Sequence, residues 1–187
     1  MSPDPPTPYH LSSIILFLGI GLLFFGCSND LNTIKKVTER NHLPQETGFD
    51  VEMYYSDSAR LKVKMITPLL KHFVNDTSYI EFPKGVHAYF YDDSSLVKTE
   101  LTSKYGIRYE SISKIEVRDS VVLTNAKGER LNTQHLTWDE QKKKIYTNDF
   151  VTITTKKEII YGDGLESDQE FSDYKIKNIK GSLQVDQ

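Results

Sequence analysis

From Ala59 onward, apolar and polar positions alternate with a period of two. The stretch RLKVKM sets Leu61, Val63 and Met65 on one face and Arg60, Lys62 and Lys64 on the other. VHAYFY sets Val86, Ala88 and Phe90 against His87, Tyr89 and Tyr91, and YGIRY places Tyr105, Ile107 and Tyr109 together. Successive side chains of an extended chain point to opposite faces, so this is the pattern of half-buried strands. FPKG, DDSS, NAKGER, DEQKKK and TKKE interrupt the alternation and read as turns. No long amphipathic helix is read after residue 58. Strands at this spacing predict an all-β antiparallel sandwich, barrel or jelly roll.

An internal repeat refines the prediction. KIEVRDSVVL (114–123) and KIYTNDFVTI (144–153) share Lys114/Lys144, Ile115/Ile145, Asp119/Asp149 and Val121/Val151 at an offset of thirty. The offset then drops to twenty-nine, pairing Leu131 with Ile160 and Leu136 with Leu165, as a hairpin turn one residue shorter would cause. Stacked hairpins sharing one core follow from such a period. Ile115, Val117, Val121 and Leu123 share parity, as do Ile145, Val151 and Ile153, so these faces are expected inside. Asp119 and Asp149 interrupt each face and are expected at a bend or bulge where the strand turns a corner.

The N-terminal part reads differently. Ile14 to Phe25 is an unbroken run of twelve apolar or glycine residues, short of the roughly 20 that span a bilayer and within the range of a signal-peptide core. Gly26 precedes the lone Cys27, and polar SNDLN follows at once. That is the arrangement of a bacterial lipoprotein signal, with cleavage before Cys27 and a lipid on its thiol. Two features depart from it: MSPDPPTPYH has no Lys or Arg, and Phe24 stands where Leu is usual. The competing reading is a short uncleaved membrane helix with an inert cysteine. Either way the rest of the chain is expected on the non-cytoplasmic side of a membrane. The expected organisation is a signal peptide over 1–26, a lipidated N-terminus and tether over 27–58, and a β domain over 59–187. NTIKKVTER within the tether is read as a short helix.

Charge excludes some partners. The 187 residues carry a net charge of −3, and the apparent signal segment removes only Asp4. Nothing suggests nucleic-acid binding. No two of His10, His42, His72, His87 and His135 have metal-ligand spacing, and no nucleophile motif stands out, so no enzyme, metal or cofactor is expected. Asp163, Glu166, Asp168 and Glu170 do not match a calcium loop and read as a solvated turn. Gly162 and Gly164 read as a bend or a close backbone approach. QKKK (141–144) reads as a solvated hairpin tip, with contact to anionic headgroups as the alternative.

The segments YYSDSARLKVKMITPLL, EFPKGVHAYFYDD, GERLNTQHLTWDEQKKKIYTNDFVTIT and IIYGDGLESD together resemble the LptC family, membrane-anchored periplasmic components of the lipopolysaccharide exporter. The resemblance spans about residues 52–182. Its most specific part is the ordered series Leu131, Thr133, Leu136, Ile145, Thr147, Val151, Ile153, Gly162, Gly164 and Leu165. It implies an open antiparallel β-jelly roll that accepts lipopolysaccharide from an inner-membrane ABC transporter. The acyl chains would pass to a periplasmic bridge protein of similar β fold and on toward the outer membrane. The transporter's periplasmic domains and the bridge protein would dock at opposite sheet edges. The candidate lipid groove is Ile115, Val117, Val121, Leu123, Leu131, Leu136, Ile145, Val151 and Ile153; plain core is the competing role for each. A structural adaptor that joins transporter and bridge without touching lipid is the alternative function. Familiar members use an uncleaved transmembrane helix, whereas this chain is expected to use a lipid on Cys27. The periplasmic face of the inner membrane is the expected location, with Ser28 after the cysteine favouring the outer membrane instead.

Overall fold

The computed structural model describes residues 43–74 and 77–185. Cys27, the expected signal peptide and most of the expected tether lie outside these residues. Eleven strands are present among the described residues: β1 (Glu46–Asp57), β2 (Arg60–Phe73), β3 (Tyr79–Phe82), β4 (Val86–Tyr91), β5 (Val97–Ser103), β6 (Tyr105–Tyr109), β7 (Lys114–Asn125), β8 (Arg130–Asp139), β9 (Lys144–Thr154), β10 (Glu158–Asp168) and β11 (Tyr174–Gln184). A single 3₁₀ turn, Glu110–Ile112, joins β6 to β7. The sheet begins at Glu46, inside the stretch read as tether, and not at Ala59.

All pairings are antiparallel, and they resolve into one meander folded along a crease. β2 pairs with β4 through Val63–Ile66 and with β3 through Lys71–Phe73. β7 pairs with β6 through Lys114–Arg118 and with β5 through Val122–Asn125. β3 and β4 therefore act as one bent strand, as do β5 and β6, which are joined by Lys104 alone. Each bent strand pairs with the next in sequence from β1 to β11. The result is two facing layers of the same strand order, joined along one line. This all-β, jelly-roll-like architecture agrees with the period-two alternation.

Bending an extended strand costs ladder hydrogen bonds and needs unusual backbone angles. Asp50, Asp119 and Ser120 take positive φ values of 50°, 66° and 58°, and Gly164 takes 75°. Asp119 thus sits at the corner expected of it, where the β7–β8 register shifts between Arg118 and Val121. Its repeat partner Asp149 sits in the β9 corner, where its amide donates to Thr147 Oγ1 at 3.0 Å. Buried threonines satisfy other groups freed by the bends. Thr67 Oγ1 donates to the carbonyls of Leu69 and Gly85, and Thr133 Oγ1 to that of Phe150 at 3.0 Å. The slip in the repeat also has its expected cause: the β7–β8 turn is residues 126–129, and the β9–β10 turn is residues 155–157.

One apolar cluster fills the space between the layers. Val63, Ala88, Phe90, Leu101, Leu123, Leu131 and Val151 come from one layer, and Phe82, Ile115, Leu136, Ile145 and Leu165 from the other. β6 departs from a simple apolar face. Gly106 and Arg108 stand opposite inward-facing Val117 and Ile115, so they share the inner face while Tyr105, Ile107 and Tyr109 take the other.

β11 crosses β10 closely at Gly162. A Cβ there would lie 2.4 Å from Ile176 Cγ2 and 2.6 Å from the Asn178 carbonyl oxygen, whereas a Cβ on Gly181 would meet nothing within 4 Å. Gly162→Ala is expected to lower stability by about 1–3 kcal/mol, and Gly181→Ala to change it by less than about 0.5 kcal/mol. Urea unfolding followed by circular dichroism reads both.

Candidate functional site

The ends of the two layers opposite the crease form a mouth, and the chain closes most of it. The β10–β11 turn reaches across from its own layer. Thr99 Oγ1 donates to the Glu170 carbonyl at 2.5 Å, and Asn125 Nδ2 to the Phe171 carbonyl at 2.8 Å. Phe171 is fully buried with φ of 49° and stacks on Tyr174 at 4.7 Å. Asp168 holds this turn through the amides of Ser172 and Asp173 and the Ser172 hydroxyl. Burial pushes the Asp168 pKa up, but these hydrogen bonds together outweigh it and leave it below the ordinary carboxylate value. A second tie joins Lys143, in the β8–β9 turn, to Asp57 at 2.7 Å at the end of β1.

Beside these ties the mouth holds a cavity of about 210 Å³. Met53, Tyr54 and Tyr55 of β1 and Val63 and Met65 of β2 line one side; Arg108, Ile115, Trp138 and Glu140 line the other. A smaller void of about 20 Å³ lies deeper and shares Met65, Ile115 and Trp138 as walls. Trp138 is 5% exposed and meets Tyr55 and Phe90 edge-on, at 6.1 and 5.2 Å between ring centres. Its indole Nε1–H is the one buried side-chain polar atom without a hydrogen-bond partner among the described residues. Such an orphan costs about 1–3 kcal/mol.

Arg108 and Glu140 bound the cavity as a bidentate pair. Arg108 Nε and Nη2 donate to Glu140 Oε1 and Oε2 at 2.9 and 3.1 Å, and Glu110 lies 3.9 Å from the guanidinium. Hydrogen bonding to Glu140 raises the Arg108 pKa against the opposing effect of burial. Glu140 is 8% exposed and Arg108 29%.

The nine residues expected to line a groove all lie in the apolar cluster, at 4% exposure or less. Ile115 lines both cavities, and Val117 and Leu136 line the smaller one. Val121, Leu123, Leu131, Ile145, Val151 and Ile153 are buried at 1% or less. Sequence reasoning missed Met53, Tyr55, Arg108, Trp138 and Glu140. The β1 residues carried a readable signal in Val51, Met53 and Tyr55 of VEMYY; Arg108 and Trp138 carried none until register placed them together. Lys142, Lys143 and Lys144 of the basic run are paired with Asp139, Asp57 and Glu166. No group of residues suited to a metal ion is present among the described residues.

Among the described residues both sheet edges are unpaired: β1 pairs only with β2, and β11 only with β10. Exposed apolar side chains stand on each, Phe49 and Tyr54 on β1 and Ile179 and Leu183 on β11. His72 fastens the β1 edge. Its Nδ1 faces Glu46 at 3.3 Å and its Nε2 faces Glu110 at 3.1 Å. Burial lowers the His72 pKa, but the hydrogen bonds its ring donates to Glu110 and Glu46 more than reverse this and leave it raised.

A sequence model of the family described as lipopolysaccharide-assembly, LptC-related, matches residues 13–183. A search among curated proteins finds no match. Among the described residues no helix is long and apolar enough to cross a membrane.

Two outcomes are expected. Glu140→Ala lowers stability by about 1–3 kcal/mol, less than for a fully buried pair because Arg108 keeps some water contact; the Arg108→Met/Glu140→Leu double variant recovers most of that loss in urea unfolding. The raised His72 pKa means that its stabilisation is complete below the ordinary value of 6.5 and fades as pH rises through the folded-state value. Amide exchange in β1, corrected for intrinsic rates, therefore accelerates as pH rises above the ordinary value of 6.5, and His72→Asn removes that pH dependence.

Proposed function

The chain belongs to the LptC-related family of lipopolysaccharide-assembly proteins, and on that premise we propose that it accepts lipopolysaccharide from an inner-membrane ABC transporter and passes the acyl chains along a periplasmic bridge. The family is one of membrane-associated lipopolysaccharide transport components and not an enzyme family, and membership implies involvement of the chain in lipopolysaccharide transport. The finer reading is supported above all by an apolar space between two layers that reaches the surface beside β1. Each methylene moved from water into such a space gains about 0.8 kcal/mol. Transfer of a chain between similar spaces is then nearly neutral, and direction comes from the partner ATPase.

Docking follows from the edges. An unpaired strand can accept a strand of another domain through main-chain hydrogen bonds. In this reading β1 meets the transporter's periplasmic domains and β11 meets the bridge protein. The Cys27 lipid holds the chain to the periplasmic face of the inner membrane, and 1–26 is removed as a signal peptide. The nine apolar residues from Ile115 to Ile153 serve as the groove when the layers part, with Ile115 nearest the mouth.

The near-complete burial of Val121, Leu123, Val151 and Ile153 favours a second reading, a structural adaptor that joins transporter and bridge without holding lipid. The two are separated by a photo-crosslinking residue at Met53, which lines the mouth, or at Val121, in a Gram-negative host. The transfer reading expects a lipopolysaccharide adduct at Met53 that is absent at exposed Lys142 and lost when the ATPase is blocked. A folded, membrane-localised protein that retains its bridge partner yet gives no adduct at either position is an adaptor.

A further inference from the structure

We propose that the first four residues of β1, 46–49, are a proton-operated strap, clasped to β2 while the His72 imidazole carries both its protons and let go when Nδ1 loses one to water. The inference rests on the reading that β1 is a docking edge and adds how that edge is regulated.

Three observations carry it. The first is a break in the ladder. Glu46, Thr47, Gly48 and Phe49 pair with His72, Lys71, Leu70 and Leu69, and pairing resumes only at Val51 with Thr67. Asp50, with φ of 50°, and Pro68 lie in the gap, and a proline has no N–H to donate. The second is burial. None of the four residues is buried, and Phe49 is 71% exposed. Beyond the break, Met53 packs on the apolar cluster and Tyr55 meets Trp138. The 46–49 end can therefore open alone and at low cost. The third is the clasp itself. Carboxylates from two elements face one ring, Glu46 of β1 at Nδ1 and Glu110 of the 3₁₀ turn at Nε2. Arg108 of β6 stands 3.9 Å from Glu110, and β3 sets the uncharged Ile80 opposite His72. Ionised carboxylates only accept, and a neutral imidazole has a single N–H. One of the two carboxylates must then face a lone pair. Glu110 is 34% exposed and has Arg108 beside it, whereas Glu46 is 76% exposed on the loose end, so Glu46 is the one that leaves. The hydrogen bonds of Gln45 to the His72 and Val74 carbonyls involve no titrating group and persist through the change.

The test is amide exchange of the whole chain, resolved by residue with NMR and corrected for intrinsic rates, at about pH 5.5 and pH 8. Exchange over 46–49 is expected to accelerate about two- to fivefold at the higher pH, the worth of a largely exposed ion pair, and over 51–57 by less than about 1.5-fold. Glu46→Gln, at an exposed position that the fold does not need, is expected to bring the strap to its faster rate at both pH values. Glu110→Gln separates the switch from a plain structural contact. A glutamine amide can donate to a neutral Nε2, which leaves Nδ1–H on Glu46, so the strap is expected to stay slow at pH 8. Equal acceleration along the whole of β1, a strap in Glu46→Gln that still responds to pH, or wild-type behaviour in Glu110→Gln would each overturn the inference. Regulation of docking is read with a photo-crosslinking residue at Phe49, on the strap, or at Tyr54, beyond the break, in a Gram-negative host. The crosslink to the transporter at Phe49 is expected to fall as the medium is raised from pH 5.5 to 8, and the one at Tyr54 to hold. Crosslinks at both positions that ignore pH overturn the regulation and leave β1 a docking edge. A strap that switches in a chain that crosslinks at neither position keeps the switch and sinks the docking reading instead.

Discussion

A bent strand loses ladder hydrogen bonds at its corner, and here the strands bend along one line. The crease exists only because each corner supplies its own remedy: positive φ at Asp119 and Ser120, a glycine at 164, and hydroxyls at Thr67, Thr133 and Thr147 that replace lost backbone partners. Such hydroxyls are buried with their partners, where an unsatisfied carbonyl or amide would be costly. Folding the meander at this line turns one face of a single sheet into the two walls of a core. A flat sheet of the same sequence would leave that face in water.

The same geometry decides where lipid could be accommodated. Near the crease the layers converge and aliphatic side chains fill the space. Away from it they diverge, and the β10–β11 turn covers part of the gap with Phe171. Beside β1 the closure leaves a cavity whose walls carry a tryptophan, an ion pair and two methionines. Methionine adapts its shape at low cost, which suits a wall that must pack in one state and yield in another. Polar ties across the mouth among the described residues include the Thr99, Asn125 and Lys143 contacts.

The expectations drawn from sequence fared unevenly for physical reasons. The repeat located the corner at Asp119 because a polar residue breaks an apolar face in any β register. The same parity identified the buried faces of β7 and β9. β1 was hidden because Pro44 precedes and Gly48 interrupts an edge strand that is largely water-exposed and weakly patterned. The cavity was out of reach altogether. Its walls come from β1, β2, β6, β7 and the end of β8, and strand register, not sequence spacing, sets them side by side.

The all-β class, the interior faces of β7 and β9, the hairpin repeat and its one-residue slip are legible along the chain. Alternation and turn chemistry act between near neighbours, so they are written in order along the chain. The single crease, the covering of the mouth by Phe171, the place of Arg108 beside Glu140 and the isolation of the Trp138 N–H arise only when the strands are assembled. These depend on which strand lies beside or across from which. A hydrogen bond or an ion pair between residues thirty or seventy positions apart leaves no period in the sequence to read.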